Sequence, residues 1–260
     1  MKILVVITTA FTSTGGLTTV MMNYYRAMNK EGLKIDFAST NVPSQSLLDE
    51  IHVEGSEYYQ LPPRKKIVSY FYRLRRLCKN YDLLHVHGNS STSVLELMAA
   101  NWAGVKRRIV HNHTSRSQHP WINLLLHPFF LMSYTKAIAC SDAAGEWLFG
   151  NKQYQILRNA IKVSCFHYDV SVRQQIRQLL GISDSTFLVG HVGKFMDAKN
   201  HPFVIAVFAE IHRLIPDSKL LLVGDGPLRG MVETAVKNLH VEDCVILVGL
   251  RSDIPQLLQS

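Results

Sequence analysis

The stretch TFLVGHVGKFMDAKNHPF, residues 186–203, passes from a short run rich in β-formers, through a loop carrying Lys194 and Lys199, into a segment of helical spacing over 201–214. The same succession then recurs. SKLLLVG at 218–224 leads to a helix over 228–239, and CVILVG at 244–249 leads to a helical stub after Asp253. Three strands with intervening helices make one βαβαβ half of a doubly wound parallel sheet, whose usual order sets a fourth strand against the first. With three strands only, the strand over 187–192 is expected to present an open apolar edge, a hazard for unwanted pairing.

Upstream, the alternation is longer. KILVVIT (2–8), LKIDFAS (33–39), LLHVH (83–87), RRIVHNH (107–113) and KAIAC (136–140) read as strands, with QIL (155–157) a weaker sixth. Helical spacing runs over 17–30, 67–80, 91–103 and 142–149, several entered by a capping residue and left by Gly. The expected architecture is α/β: one complete doubly wound domain over 1–165, a linker over 166–185 containing SVRQQIRQLLG, and an incomplete Rossmann-like half domain over 186–260.

A chain of 260 residues with 47% hydrophobic and 18% charged residues has the composition of packed globular domains, not of a disordered or fibrous protein. Cys78, Cys140, Cys165 and Cys244 form no CxxC pair and fall in or beside apolar runs, which reads as reduced core thiols in a cytosolic protein. MKILVVITTAF imitates a signal peptide, yet Gly15-Gly16 and an amphipathic segment follow it directly, so it reads as a buried first strand. No run approaches the roughly 18 apolar residues of a spanning helix. The formal charge of +8 points to an anionic partner: nucleic acid, a phospholipid surface or a phosphorylated small molecule. No zinc-finger, RRM or helix-turn-helix signature supports the first of these.

Five places carry candidate chemistry. Thr14-Gly15-Gly16-Leu17 follows the first strand, where it is either a plain tight turn or a loop that aims helix N-terminal N–H groups at a phosphate or polar acceptor. His87-Gly88 and His113-Thr114 each end a strand, where open α/β sheets present ligand-binding residues. His85 and His111, two positions back, belong on the same face and deeper, and read as hydrogen-bonded core histidines. No carboxylate follows at ligand spacing, so no metal is expected. In GKFMDAKNH, 193–201, Lys194 and Lys199 either straddle a pyrophosphate and stabilise its departing charge or decorate a solvated loop. Gly224-Asp225-Gly226-Pro227 is one residue off a dinucleotide fingerprint, open to a nucleotide-facing or a purely structural turn. Gly249-Leu250-Arg251 ends the next strand, with Arg251 either near a base or free at the surface.

Taken in order, the Gly15-Gly16 loop, DLLHVHG (82–88), RRIVHNH (107–113), ACSD (139–142), LRNAI (157–161), VGKFMDAKNH (192–201), LLLVGDGP (220–227) and VGLRSDIPQLL (248–258) resemble the retaining glycosyltransferases of the GT-B fold. The likeness is to the family-4 kind that builds capsules, exopolysaccharides and lipid-linked glycans. It implies a donor site for a nucleotide diphosphate sugar, of which UDP-sugar is the expected type, and a glycan or lipid-linked acceptor. It puts Gly15, Gly16, Gly193, Gly224, Asp225, Gly226, Gly249, Leu250 and Arg251 at the donor. Lys194 and Lys199 would lie on the diphosphate, His113 beside the transferring sugar, and His87 and Asn159 on the acceptor side. The expected reaction retains anomeric configuration without a bound metal or other cofactor. Lys194 stands where the family more often has arginine, keeping the charge and losing the bidentate fork. The family's paired-glutamate motif has no counterpart in these residues, which implies a chain truncated before it.

Two further expectations concern partners. From Arg64 to Lys79 the basic residues Arg64, Lys65, Lys66, Arg73, Arg75, Arg76 and Lys79 interleave with apolar ones and no acid. Such a helix either lies on an anionic membrane, giving a cytoplasmic protein peripheral at the inner face, or packs its apolar side inward. WINLLLHPFFL at 121–131 is a second apolar stretch that either touches lipid or packs in the core, with core packing the expected outcome. The rival functions are a catalytically silent fragment or half of a split transferase completed by a partner chain, and a sugar-nucleotide epimerase of similar build.

Overall fold

The computed structural model describes residues 1–260 apart from Thr14 and Gln118, and divides them into two units, Met1–Ile161 and Lys162–Ser260. The first unit runs β1 (Lys2–Ile7), α1 (Gly16–Ala27), β2 (Lys34–Ser39), α2 (Gln45–Val53), β3 (Tyr58–Gln60), α3 (Ile67–Cys78) and β4 (Leu83–Gly88). It continues with α4 (Val94–Trp102), β5 (Arg107–Asn112), α5 (Pro120–Leu131), β6 (Lys136–Ala139), α6 (Asp142–Phe149) and β7 (Gln155–Ile156). Its strands pair in parallel in the order β3-β2-β1-β4-β5-β6-β7, so every strand points its carboxyl end to one edge of the sheet.

Side-chain alternation divides this sheet into two faces. Leu4, Val6, Leu84, Val86 and Val110 enter one core together with Tyr70, Leu97 and Phe130. Val5 and Ile7 enter the other with Met21, Met22, Tyr25 and Phe37. Since Val5 pairs with His85, Ile7 with His87, and His87 with His111, the histidines of β4 and β5 share the second face and stand side by side.

The expected strands are present with their ends trimmed by a residue or so. Helix α2 and the three-residue strand β3 were not legible, because Glu54 to Glu57 between them offers neither period. Helix α5 corrects the expectation of core packing over 121–131. Of its residues only Phe130 is fully buried, whereas Trp121 is 82% and Leu125 73% exposed. Helix α3 buries Tyr70, Leu74 and Cys78 and leaves Ile67, Val68 and Tyr72 outside. Arg64 turns inward to the fully buried Glu96, whose other oxygen accepts from Tyr70 Oη at 2.7 Å, while Lys65, Lys66, Arg73, Arg76 and Lys79 remain exposed. Cys78 is buried and Cys140 and Cys244 partly so. Cys165 is exposed, in a 3-10 turn over Val163–Phe166, and is not a core thiol.

The second unit contains α7 (Val170–Leu179), β8 (Phe187–Val192), α8 (His201–Leu214), β9 (Ser218–Val223), α9 (Arg229–Asn238), β10 (Val245–Leu247) and α10 (Ile254–Leu257). Its three parallel strands are ordered β10-β9-β8. As expected, β8 is an outer strand, with Phe187 and Val192 exposed. Residues 166–185, read from sequence as a linker, belong to this unit. Asp169 caps α7 by accepting from the Ser171 and Val172 amides, and Ile176 packs with Leu221, Val223 and Leu257. The buried Arg177 donates to the Ser183 and Thr186 carbonyls, tying the segment to the start of β8. None of the helices among the described residues is long and apolar enough to cross a membrane.

Candidate functional site

At the carboxyl edge of the first sheet four imidazoles form a compact group. The ring centroids of His85 and His87 are 4.3 Å apart, those of His87 and His111 5.0 Å, and those of His111 and His113 4.1 Å. Nδ1 of His87 and Nε2 of His113 share a hydrogen bond of 3.0 Å, its direction set by the tautomers. Burial pushes His85 down to about 4, His111 to about 2 and His113 to about 4, and holds His87 well below the ordinary value; neighbouring imidazoles add to this for all but His113. The group is therefore neutral near pH 7. His113 can exchange hydrogen bonds with a sugar hydroxyl but brings no charge to a phosphate. With its Nε2 engaged by His87, its Nδ1 is the nitrogen left for a ligand. The turn that carries it is held by Asn112, whose Nδ2 donates to the Thr114 and Ala144 carbonyls at 2.7 Å each.

The expectation that His85 and His111 are hydrogen-bonded core residues does not hold. Nε2 of His85 and both ring nitrogens of His111 are buried without a partner among the described residues. Gly88, next to His87, packs against Ser93: a Cβ there would meet Ser93 Oγ at 2.2 Å unless that hydroxyl turned away.

In the second unit the loops leaving β8, β9 and β10 are interlocked through their backbones. The Gly193 amide donates to the Val223 carbonyl at 2.9 Å, Phe195 N to Asp225 O at 3.0 Å, and Gly224 N to Gly249 O at 2.8 Å. Gly224 has φ +143, and a Cβ on it would lie 2.0 Å from the Gly193 carbonyl oxygen; one on Gly226 would lie 2.4 Å from that of Phe195. Phe195 is buried in the core of the unit, which fixes the loop between the two lysines. Lys194 and Lys199 are exposed, and neither forms an ion pair or side-chain hydrogen bond among the described residues. The Lys199 stem passes over Gly193, with Cγ and Cδ 3.3 Å from where a Cβ would stand. A small hollow of about 100 Å³ beside this loop is lined by Met196, Asp197, Asn200, His201 and residues of α8 and α9, and by neither lysine.

A family model described as Glycosyltransferase Family 4 matches residues 14–162, more than half of the chain, and one described as Glycosyl transferases group 1 matches residues 172–260. The chain belongs to Glycosyltransferase Family 4. EpsF of Bacillus subtilis is 26% identical to this family 4 glycosyltransferase over 262 residues, which cover 95% of the chain and 68% of EpsF. The UDP-Gal:alpha-D-GlcNAc-diphosphoundecaprenol alpha-1,3-galactosyltransferase of Escherichia coli is 25% identical over 212 residues, or 75% of the chain and 54% of that enzyme. Among solved structures, Anabaena Alr3699/HepE in complex with UDP and glucose matches with a TM-score of 0.82 at 20% identity, covering 99% of the chain and 71% of HepE. That likeness supports the GT-B fold. UDP-N-acetylglucosamine 2-epimerases match the fold less well, at a TM-score of 0.58 and 12% identity for the Neisseria meningitidis enzyme, and do not displace the transferase assignment.

The remaining expected positions of the family 4 enzyme are distributed as follows. Gly15 is the N-cap of α1 and Gly16 its first residue, with open space around the Gly16 Cα; Thr14 lies outside the described residues. Asn159 is exposed, on a segment fastened to α1 by Asn23 and Tyr24, which donate to the Ala160 and Arg158 carbonyls. Asp225 lies 3.5 Å from Arg229. Leu250 is exposed, and Arg251 is not free: Asp253 accepts from its Nε and Nη2 at 2.8 and 2.6 Å. Two residues to which the sequence reading gave no role stand beside Lys199. Burial, together with the Lys199 ammonium, holds His191 and His201 below the ordinary imidazole range; His191 adds to the effect on His201. The signal available for His191 was its place near the carboxyl end of β8, two residues before Gly193, much as His111 and His113 flank the end of β5.

The interlock predicts the cost of a single methyl group. Gly224→Ala should destabilise the second unit by about 2 kcal/mol or more, since backbone and not a flexible side chain occupies the space. Gly16→Ala, in open space, should leave stability within about 0.5 kcal/mol. Thermal unfolding of the two variants checks the contrast.

Proposed function

We propose that this glycosyltransferase moves a sugar from a nucleotide diphosphate donor, a UDP-sugar, to a glycan or lipid-linked acceptor in surface polysaccharide synthesis, with retention of anomeric configuration and without a catalytic metal. The observation that carries the reading is the pair of exposed, unpaired cations, Lys194 and Lys199, on a loop locked in place by Phe195 and the Gly193–Gly224 contact. A diphosphate departing from the anomeric carbon gains negative charge, and preorganised cations stabilise that charge without reorganising at the moment of bond breaking. HepE, complexed with UDP and glucose, supports the choice of donor.

Within this reading the neutral His113 hydrogen-bonds the transferring sugar, and Gly15 and Gly16 offer N–H groups at the N-terminus of α1 to phosphate or acceptor. His87 and Asn159 serve the acceptor. Gly249, Leu250 and Arg251 contact the base, with the Arg251 plane held flat for stacking by Asp253. Gly193, Gly224 and Gly226 shape the donor loops chiefly by letting the backbones approach, and Asp225 steadies Arg229 at the start of α9.

The acceptor preference rests on the outside of the first unit. Helix α5 exposes Trp121, Ile122, Leu124, Leu125 and Phe129, and α3 exposes Ile67 and Val68 beside Lys65, Lys66, Arg73 and Arg76. Burying one such side chain is worth about 2 kcal/mol, and each lysine or arginine near an anionic bilayer about 1 kcal/mol. Peripheral attachment at the inner face of the membrane would bring the enzyme to a lipid-linked acceptor.

Two measurements test these statements. Lys199→Ala should lower kcat/KM for donor-dependent transfer about 100-fold while leaving the melting temperature unchanged, and wild-type turnover in that variant would refute the diphosphate role. Cosedimentation should show binding to vesicles containing anionic lipid, weakening with salt and lost in Leu125→Glu. Equal binding by wild type and variant would rule out α5 as the contact.

A further inference from the structure

The proposed transfer uses His113 and His87 through hydrogen bonds and leaves His85 and His111 without a task. Yet both carry buried ring nitrogens without a partner among the described residues. His111 is 1% exposed and hydrogen-bonds through neither nitrogen, and Nε2 of His85 is likewise buried and unpartnered. A buried ring nitrogen without a partner costs about 1–3 kcal/mol, and an ion that takes one nitrogen from each ring relieves Nε2 of His85 and one of the two on His111.

We propose that His85, His87 and His111 form a binding site for one divalent ion of the later first transition series, with zinc the best match. One nitrogen from each of the three rings lies within 4.8 Å of the other two. A tetrahedral ion with bonds of about 2.0–2.1 Å spaces its ligands at roughly 3.4 Å, so rotations moving each ring nitrogen by about 1 Å close the triangle. The strands already hold the rings in place: parallel pairing sets His87 directly beside His111, and two-residue alternation sets His85 behind His87 on the same face.

The donor set selects the ion. Among the described residues no carboxylate or thiol joins the group, and a site of imidazole nitrogens alone suits zinc, nickel or copper and not magnesium or calcium. The contact between Nδ1 of His87 and Nε2 of His113 completes the pattern of a ligating histidine. With Nδ1 engaged by a neighbour, Nε2 of His87 is the nitrogen left for the ion, and His113 orients the ring from behind. Three protein ligands leave a fourth position for water. The proposal leaves the donor chemistry to the lysine loop, which requires no metal, and replaces the direct acceptor contact of His87, both of whose ring nitrogens it engages.

The test uses the tag-free full chain, stripped with chelator and then titrated with zinc chloride by calorimetry, and with cobalt(II) followed by its visible absorption. The expected result is one equivalent per chain, cobalt bands of the intensity typical of four-coordination, and no heat with magnesium chloride. His85→Gln and His111→Gln should each weaken zinc at least tenfold. If His111→Gln does not fold, the half-buried His85→Gln, checked by circular dichroism, carries the measurement. Absence of stoichiometric uptake, or uptake at wild-type affinity in His85→Gln, overturns the proposal and leaves buried water as the partner of these nitrogens.

Discussion

The loops that end β8 and β9 meet backbone to backbone, and no side chain fits between them. Gly224 has no room for a Cβ because the Gly193 carbonyl occupies the space, and Gly226 none because that of Phe195 does. This close approach turns three separate strand ends into one rigid rim. Phe195 is pulled into the core from the middle of the rim, so the residues around it, Lys194 and Lys199, are the ones that must face water. Their electrostatic value follows from that rigidity. A charge on a mobile loop reorganises as the reaction proceeds, whereas a charge on a fixed rim is in place beforehand.

The first unit achieves placement by register instead of by close packing. Parallel pairing of β4 with β5 brings His87 beside His111, and the alternation of strand side chains gathers four imidazoles on the face opposite Leu84 and Val86. His87 and His111 are buried, His85 and His113 partly so, and desolvation holds each ring neutral. The two units thus contribute different things: one a charged rim suited to an anionic leaving group, the other an uncharged cluster suited to hydroxyls and, by its unpartnered nitrogens, to a metal ion.

Much of this was legible in the sequence because the strands are short and apolar, several of them ending at or beside glycine or histidine. TFLVGHV, KLLLV and LLHVH announce themselves by composition, and parallel order follows from the alternation with helices. Three things were not legible. Strand β3 is only Tyr58–Gln60, too short for any period to register. Helix α5 is apolar on nearly every side, and composition alone cannot distinguish an apolar helix packed inside from one left outside. The segment 166–185 looked like a linker because it is more polar than the strands and helices around it, yet one of its polar residues, Arg177, is buried by the carbonyls it serves. For the site, sequence placed the histidines on one face correctly but had no means of counting hydrogen-bond partners, so it took His111 for a satisfied core residue.

The central claim is that the 194–199 rim holds a diphosphate through its two lysines, and the most direct measurement is calorimetric titration with UDP and with uridine. Wild-type protein should bind UDP at least tenfold more tightly than uridine, with the ratio falling toward one in the Lys194→Ala, Lys199→Ala double variant. A double variant that retains the full wild-type preference for UDP would contradict the account.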